Sequence, residues 1–234
     1  MFLKIKKFIF IIFNLKFFKA YLNSVFPLIE ISNLLNELPL IDNCIDVGSN
    51  KGQFALVLKR YFPKAKIFSF EPQIKNLIIQ KKFLNNSKFY NCCLGNKSSF
   101  QIFNITDRDD SSSLLEPSIF KNSIYKIVNK ISIKVEKLDN IIKLNYKNKN
   151  LLKLDVQGYE LEVLKGSKKN LSKIDYIIIE LGTKKSYLRQ PSKFETINFL
   201  KKNNFKLQKI SNKTKIMNSW EADFLFVNIK KINN

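Results

Sequence analysis

The sequence predicts an α/β fold: a doubly wound, seven-stranded sheet ending in a C-terminal antiparallel hairpin. Three observations predict it. Short apolar runs of strand length alternate with segments whose apolar residues recur every three or four positions, as parallel strands joined by helices do. A glycine turn, Gly48 to Gly52, joins the first such run directly to a helical pattern. The last two apolar runs, at 205–210 and 224–229, lie close enough to pair antiparallel.

Length and composition set the frame. A chain of 234 residues fits one domain with a sizeable core. At 45% hydrophobic residues it is not a disordered chain. The net charge of +22 favours anionic partners such as nucleic acid, acidic glycans or a membrane surface. That charge carries little weight, because the lysines are scattered as on solvated faces. Histidine is absent, which excludes histidine-based triads, histidine zinc ligands and imidazole bases together. Cys44, Cys92 and Cys93 form no C-x-x-C pair and read as free thiols. Free thiols suit a reducing, cytoplasmic location.

Taken in order, the chain opens with a basic, apolar segment of which residues 8–13 are uninterrupted apolar. This is far short of the ~20 residues that cross a bilayer. Two readings stand: a basic amphipathic helix resting on a membrane through residues 1–20, or a helix packed on the domain. Residues 24–38 carry Leu28, Ile31, Leu35 and Leu38 at helical spacing, and Pro39 ends them. Residues 1–40 are thus expected to form an N-terminal helical extension, and 41–234 the main domain. The first strand is 44–47. Phe54, Val57, Leu58 and Tyr61 mark the next helix. The second strand, 67–70, runs into Glu71, and a helix spans 72–84. The third strand is read at 89–94, ending at Gly95.

A polar insertion follows, with a strand at 100–105, a loop at 107–113 and an alternating strand at 131–135. A short helix at 138–144 and a polar connector lead to the fourth sheet strand, 151–156. The turn Gln157-Gly158 opens a helix at 160–166. The run 176–179 is continuously apolar, as in the middle of a parallel sheet, and ends at Glu180. A helix at 194–202 precedes the terminal strands.

Strand, glycine turn and helix is the layout that opens a nucleotide site in such a sheet. Gly48 permits a backbone shape closed to other residues, and Gly52 permits close packing at the helix start. Glu71 follows Gly52 by nineteen residues and ends the second strand, where an acid accepts hydrogen bonds from ribose hydroxyls. The spacing Gly-x-x-x-Gly, preceded by Asp46, departs from the dinucleotide fingerprint.

That turn resembles the S-adenosylmethionine site of class I, Rossmann-like methyltransferases. More specifically, five stretches resemble the FkbM family of methyltransferases: Asp46-Val-Gly-Ser-Asn-Lys-Gly52, Phe70-Glu-Pro72, Ser111-Ser-Ser-Leu-Leu115, Leu152-Lys-Leu-Asp-Val-Gln-Gly-Tyr-Glu160 and Val163-Leu-Lys-Gly166. Two late stretches agree, Tyr187-Leu-Arg-Gln-Pro-Ser192 and Ala222-Asp-Phe-Leu-Phe226. The resemblance covers roughly residues 41–228. It implies a donor site formed by Asp46, Gly48, Ser49, Asn50, Gly52, Glu71, Pro72, Cys93 and Leu94. Asp46 would sit near the methionine end, Glu71 at the ribose, and Cys93 and Leu94 at the adenine. It further implies O-methylation of a hydroxyl on a sugar, glycan or related small molecule.

An acceptor hydroxyl must lose its proton, and without histidine the base is Asp, Glu, Lys, Tyr or metal-bound water. Asp155 ends the fourth strand at the mouth of the sheet and is the first choice. Glu180 ends the neighbouring strand, and Glu160 opens the helix between them. Three carboxylates could instead hold Mg²⁺, though no ligand spacing requires it. The rival readings are an RNA methyltransferase and a non-catalytic cofactor-binding protein. The turn Asp155-Val-Gln-Gly-Tyr159 lacks the prolines of base-amine methyltransferases, which disfavours nucleic acid.

Overall fold

The computed structural model describes residues 15–108, 110–118, 125–211, 214–216 and 219–232. The apolar run at 8–13 lies outside them.

The main sheet is built from β1 (Asn43–Val47), β2 (Lys66–Phe70), β3 (Ser87–Tyr90), β7 (Asn150–Leu154), β8 (Tyr176–Gly182), β9 (Phe205–Ile210), β10 (Thr214–Ile216) and β11 (Ser219–Asn228). Its order is β3-β2-β1-β7-β8-β11, parallel from β3 to β8. β11 runs antiparallel to β8 and to β9, which is the expected hairpin. Glu221 of β11 pairs with Gly182 on one edge and Thr214 of β10 on the other. β9 and β10 therefore share the outer edge of β11, and eight strands fill seven positions.

Both faces are covered, so β1 and β7 are buried along their whole length. One face packs Cys44, Leu151, Ile178 and Leu225 against α1 (Leu15–Leu22), α2 (Ser32–Leu35) and α3 (Gln53–Tyr61). The other packs Ile45, Val47, Leu152, Leu154 and Ile177 against α5 (Leu138–Ile141), α6 (Glu160–Lys165), α7 (Lys168–Leu171) and α8 (Lys193–Lys202). Alternate residues of one strand thus serve opposite cores. α4 (Ile74–Lys81) follows β2, and α9 (Ile229–Ile232) ends the described chain.

Phe17 and Ala20 of α1, with Ile31, Leu34 and Leu35, are buried in the first of these cores. The face at 24–38 is not one helix. A 3-10 turn, Ile29–Ile31, precedes the four-residue α2, because Pro27 and a left-handed Ser24 interrupt the backbone before it. Among the described residues no helix is long and apolar enough to cross a membrane.

The run at 89–94 also divides. β3 ends at Tyr90, and β4 (Cys93–Leu94) leaves the main sheet to pair with β6 (Ile127–Glu136). β5 (Ser99–Thr106) joins β6 antiparallel, giving a second, three-stranded sheet over the carboxyl ends of β1 and β7. The loop after β5 carries Arg108, Asp110, Ser111 and Ser112 to the same end.

Candidate functional site

The carboxyl ends of β1, β2, β7 and β8 converge on a cleft with two lobes. Gly48, Asn50, Asp110, Asp155 and Gln157 line both. The first lobe is mostly apolar, walled by Val47, Phe70, Pro72, Cys93, Leu94 and Tyr159 and closed by Phe103 and Leu114 of the inserted sheet and loop. The second is strongly charged, with Asp46, Lys153, Asp155, Glu180, Glu221 and Asp223 along its floor.

The glycine turn is shaped by its neighbours. Gly48 has φ +75°, and a Cβ there would lie 1.8 Å from the Asp155 carbonyl oxygen. Only glycine lets the two strand ends approach so closely. Gly52, at φ +88°, caps α3 and packs against Gln80, Phe83 and Leu84. It does not line the cleft. Ser49 borders the charged lobe, its hydroxyl accepting from Gln80 Nε2 at 2.8 Å.

Glu71 is 4% exposed. Asn50 N–H donates to its Oε2 at 2.9 Å; Gln73 N–H at 2.9 Å and Asn76 Nδ2 at 3.3 Å donate to its Oε1. Burial outweighs these bonds and pushes its pKa up to about 7. The carboxylate thus ties the ends of β1 and β2 together while lining the apolar lobe. Asp46 is 1% exposed, and burial likewise pushes it to about 7, against the pull of Lys153. Its Oδ2 has no hydrogen-bond partner among the described residues.

Asp155 is the hinge of the charged lobe. Lys153 Nζ lies 3.1 Å from its Oδ2, and Gln157 Nε2 donates to its Oδ1 at 2.9 Å. Burial raises its pKa, but Lys153 and Gln157 prevail and hold it below the usual carboxylate range. Glu180 goes the other way: burial and the adjacent Asp155 charge push its pKa well up. Gln157 Nε2 bridges the two, 3.1 Å from Glu180 Oε2. Its own Oε1 lies 2.9 Å from Tyr187 Oη, which fixes the amide orientation.

Glu160 is not brought into the cleft. Its Oε1 accepts the N–H groups of Val156 at 3.3 Å and Gly158 at 3.0 Å, holding the turn after β7. The reason is local: Gln157 and Gly158 both take positive φ, which points successive N–H groups at the start of α6. The three cysteines are free and buried. Among the described residues no group of three or more metal-type ligands could hold a metal ion.

Residues 46–207 match the family model described as methyltransferase FkbM domain. The chain belongs to the FkbM methyltransferase family. This family takes its methyl group from S-adenosylmethionine. The chain is 26% identical over 160 residues to Methyltransferase 1 of Beauveria bassiana, covering 58% of this chain and 63% of that protein. It is 30% identical over 155 residues to the hexuronic acid methyltransferase AglP of Haloferax volcanii, covering 63% of this chain and 59% of that protein. The matched region therefore spans about three fifths of the length of these relatives. A solved FkbM methyltransferase from Methylobacillus flagellatus superposes with a TM-score of 0.55 at 17% identity, over 82% of this chain and 45% of that one. At that identity it bears on the fold, and the fold agrees.

Three residues gain a place at the FkbM site that their sequence context did not signal. Lys153 sits inside an apolar strand run, yet its side chain is 2% exposed and faces four carboxylates, Asp155, Asp223, Asp46 and Glu180. Gln157 and Tyr187 lie in segments that read as a turn and a late loop. For Lys153 the available signal was a lone cation in the middle of a run otherwise written for burial.

Proposed function

We propose that this protein is an S-adenosylmethionine-dependent O-methyltransferase acting on a hydroxyl of a sugar, glycan or related small molecule. The observation that carries the reading is the pairing of an orphaned buried carboxylate, Asp46 Oδ2, with the Glu71 carboxylate at the ends of adjacent strands. Their chemistry fits the donor: Asp46 meets an ammonium, and Glu71 has lone pairs left for ribose hydroxyls. Gly48, Asn50 and Pro72 border the same space, and Cys93 and Leu94 offer an apolar wall to an adenine. Gly52 supports the turn from behind, and Ser49 borders the charged lobe. That the Haloferax relative is a hexuronic acid methyltransferase supports a sugar-type acceptor.

Bound S-adenosylmethionine supplies an electrophilic methyl group on a sulfonium. Asp155 accepts a hydrogen bond from the acceptor hydroxyl and aligns one oxygen lone pair for in-line attack. As the O–C bond forms and the C–S bond breaks, the hydroxyl proton becomes strongly acidic. A carboxylate of low pKa therefore suffices to take it, late in the step. Lys153 favours the ionised form of Asp155, and Gln157 holds its orientation and bridges it to Glu180. Glu160 serves the turn. Within the N-terminal extension, the described residues from 15 to 40 pack on the domain through α1 and α2. The outer face of α1, with Phe18, Tyr21 and Leu22 exposed, makes peripheral membrane contact.

Calorimetric titration with S-adenosylmethionine tests the donor site. Binding by the native protein and loss of about tenfold or more in Glu71→Ala, near 1.4 kcal/mol, is the expected pair of results. Equal affinity in the two proteins would sink the assignment.

A further inference from the structure

Gln73 stands at the start of α4, where Ser, Thr, Asp or Asn usually caps a helix. Its side chain makes no cap bond. The backbone alone serves the turn. Its N–H donates to Glu71 Oε1 at 2.9 Å, and its carbonyl accepts from Asn76 N–H at 2.9 Å. The side chain lines the apolar lobe instead and is 6% exposed. Its Oε1 is buried there with no hydrogen-bond partner among the described residues. An unmet buried acceptor destabilises the fold around it, so any group that brings a donor is stabilised there.

Asn91 fixes this end of the lobe. Its Nδ2 donates to the carbonyls of Glu71 at 3.1 Å and Pro72 at 2.7 Å. That straps the Pro72-Gln73 turn to the wall formed by Cys92, Cys93 and Leu94. Gln73 therefore sits between the acid placed at the ribose and the wall placed at the base.

We propose that Gln73 selects the donor's base, its Oε1 accepting a hydrogen bond from the 6-amino group of adenine. This rests on the donor placement above, with Glu71 serving the ribose. An adenine entering an apolar lobe takes its amino group out of water, and an unmet buried donor is unfavourable. The orphaned oxygen and the arriving amine satisfy each other. An amide also suits the edge of adenine, offering an acceptor to the amine and a donor to the adjacent ring nitrogen. The last torsion of a glutamine is broad, so the oxygen can turn to the amine while the backbone stays in place.

Calorimetry on the full chain tests this with two ligands: S-adenosylhomocysteine, and its analogue with unsubstituted purine in place of adenine. They differ only in the amino group. The native protein should bind the adenine compound about tenfold more tightly, or better. Gln73→Met keeps the side chain's length and spares every backbone bond. In it S-adenosylhomocysteine should weaken about tenfold. The purine analogue should change by less than about threefold, so the preference collapses. Without ligand the variant should melt no lower than the native protein, since an unmet buried oxygen has gone. Gln73→Ala is a second variant with the same expected affinities. Equal affinities for the two ligands in the native protein overturn the proposal, as does a preference that survives both variants. So does an equal loss for both ligands, which would put Gln73 at the ribose or in support of the lobe. Failure of S-adenosylhomocysteine to bind the native protein is a distinct result: it sinks the methyltransferase reading, and this assignment with it.

Discussion

Replacing Lys153 with methionine isolates what a buried cation does at this site. The side chain is 2% exposed, and Asp155, its ion-pair partner at 3.1 Å, keeps 30% exposure. Methionine fills nearly the same volume, so the charge is lost, and with it the ion pair and the ammonium's place over the Phe54 ring. Breaking a buried pair by removing one member costs about 3–5 kcal/mol. The partial exposure of Asp155 puts the expected loss at the lower end, about 3 kcal/mol, or roughly 6–12 °C in melting temperature for a chain of this size. The loss should depend on pH. Lys153 lowers the pKa of Asp46, Asp155 and Asp223, so without it the folded-state values of Asp46 and Asp223 rise further above the unfolded ones and Asp155 loses the cation that holds it low. Acids with raised folded pKa values favour the folded state while protonated, and that contribution is lost as pH rises through those values. The variant should approach native stability at pH 5 and fall furthest behind at pH 8. Thermal melts at the two pH values decide the matter. A deficit that is absent, or equal at both, refutes the assignment of Lys153 as the counter-charge.

Other outcomes follow from single residues. Asp155→Asn should keep donor affinity within about tenfold while turnover falls ~10²–10⁴-fold; full turnover measured with labelled donor would remove Asp155 from the chemistry. Donor affinity should rise as pH increases through about 7, because Asp46 and Glu71 must ionise to serve a cation and ribose hydroxyls. Calorimetry in two buffers of different ionisation heat should then detect net proton release at pH 6.5, and its absence would contradict those shifts. Glu160→Ala should lower stability by ~1–3 kcal/mol through two unmet N–H groups yet leave activity per folded molecule largely intact; loss of activity at full stability would return Glu160 to the catalytic set. Phe18→Ser/Leu22→Ser should release the protein from anionic vesicles, and unchanged sedimentation would rule out the α1 membrane face.

The local part of this site was legible in the chain because its signals are local. An apolar strand, a glycine at positive φ and a helix start occupy adjacent positions, so Gly48 and Gly52 could be read without knowing what they touch. Glu71 was legible because a strand end followed by proline marks the sheet's mouth wherever the strand lies. What each residue faces was decided only by tertiary packing. Gly52 belongs to the turn yet faces Gln80, Phe83 and Leu84, since the segment after β2 packs there, and the Ser49 hydroxyl is held by Gln80 at the border of the cleft. Glu160 has the right type and place for a base, but the left-handed turn before it turns N–H groups onto its carboxylate. Lys153 meets Asp46 by strand register across 107 residues of chain, and Glu180 meets Asp223 across the antiparallel β8–β11 pair, whose strands are separated by α8, β9 and β10 and whose alignment no periodicity encodes. β4 leaves the main sheet for the same reason: its partner in β6 lies some forty residues away in sequence. Backbone propensity and apolar spacing act over a few residues and so appear in the sequence. Burial, charge pairing and pKa depend on which distant strands become neighbours, and only the folded sheet specifies that.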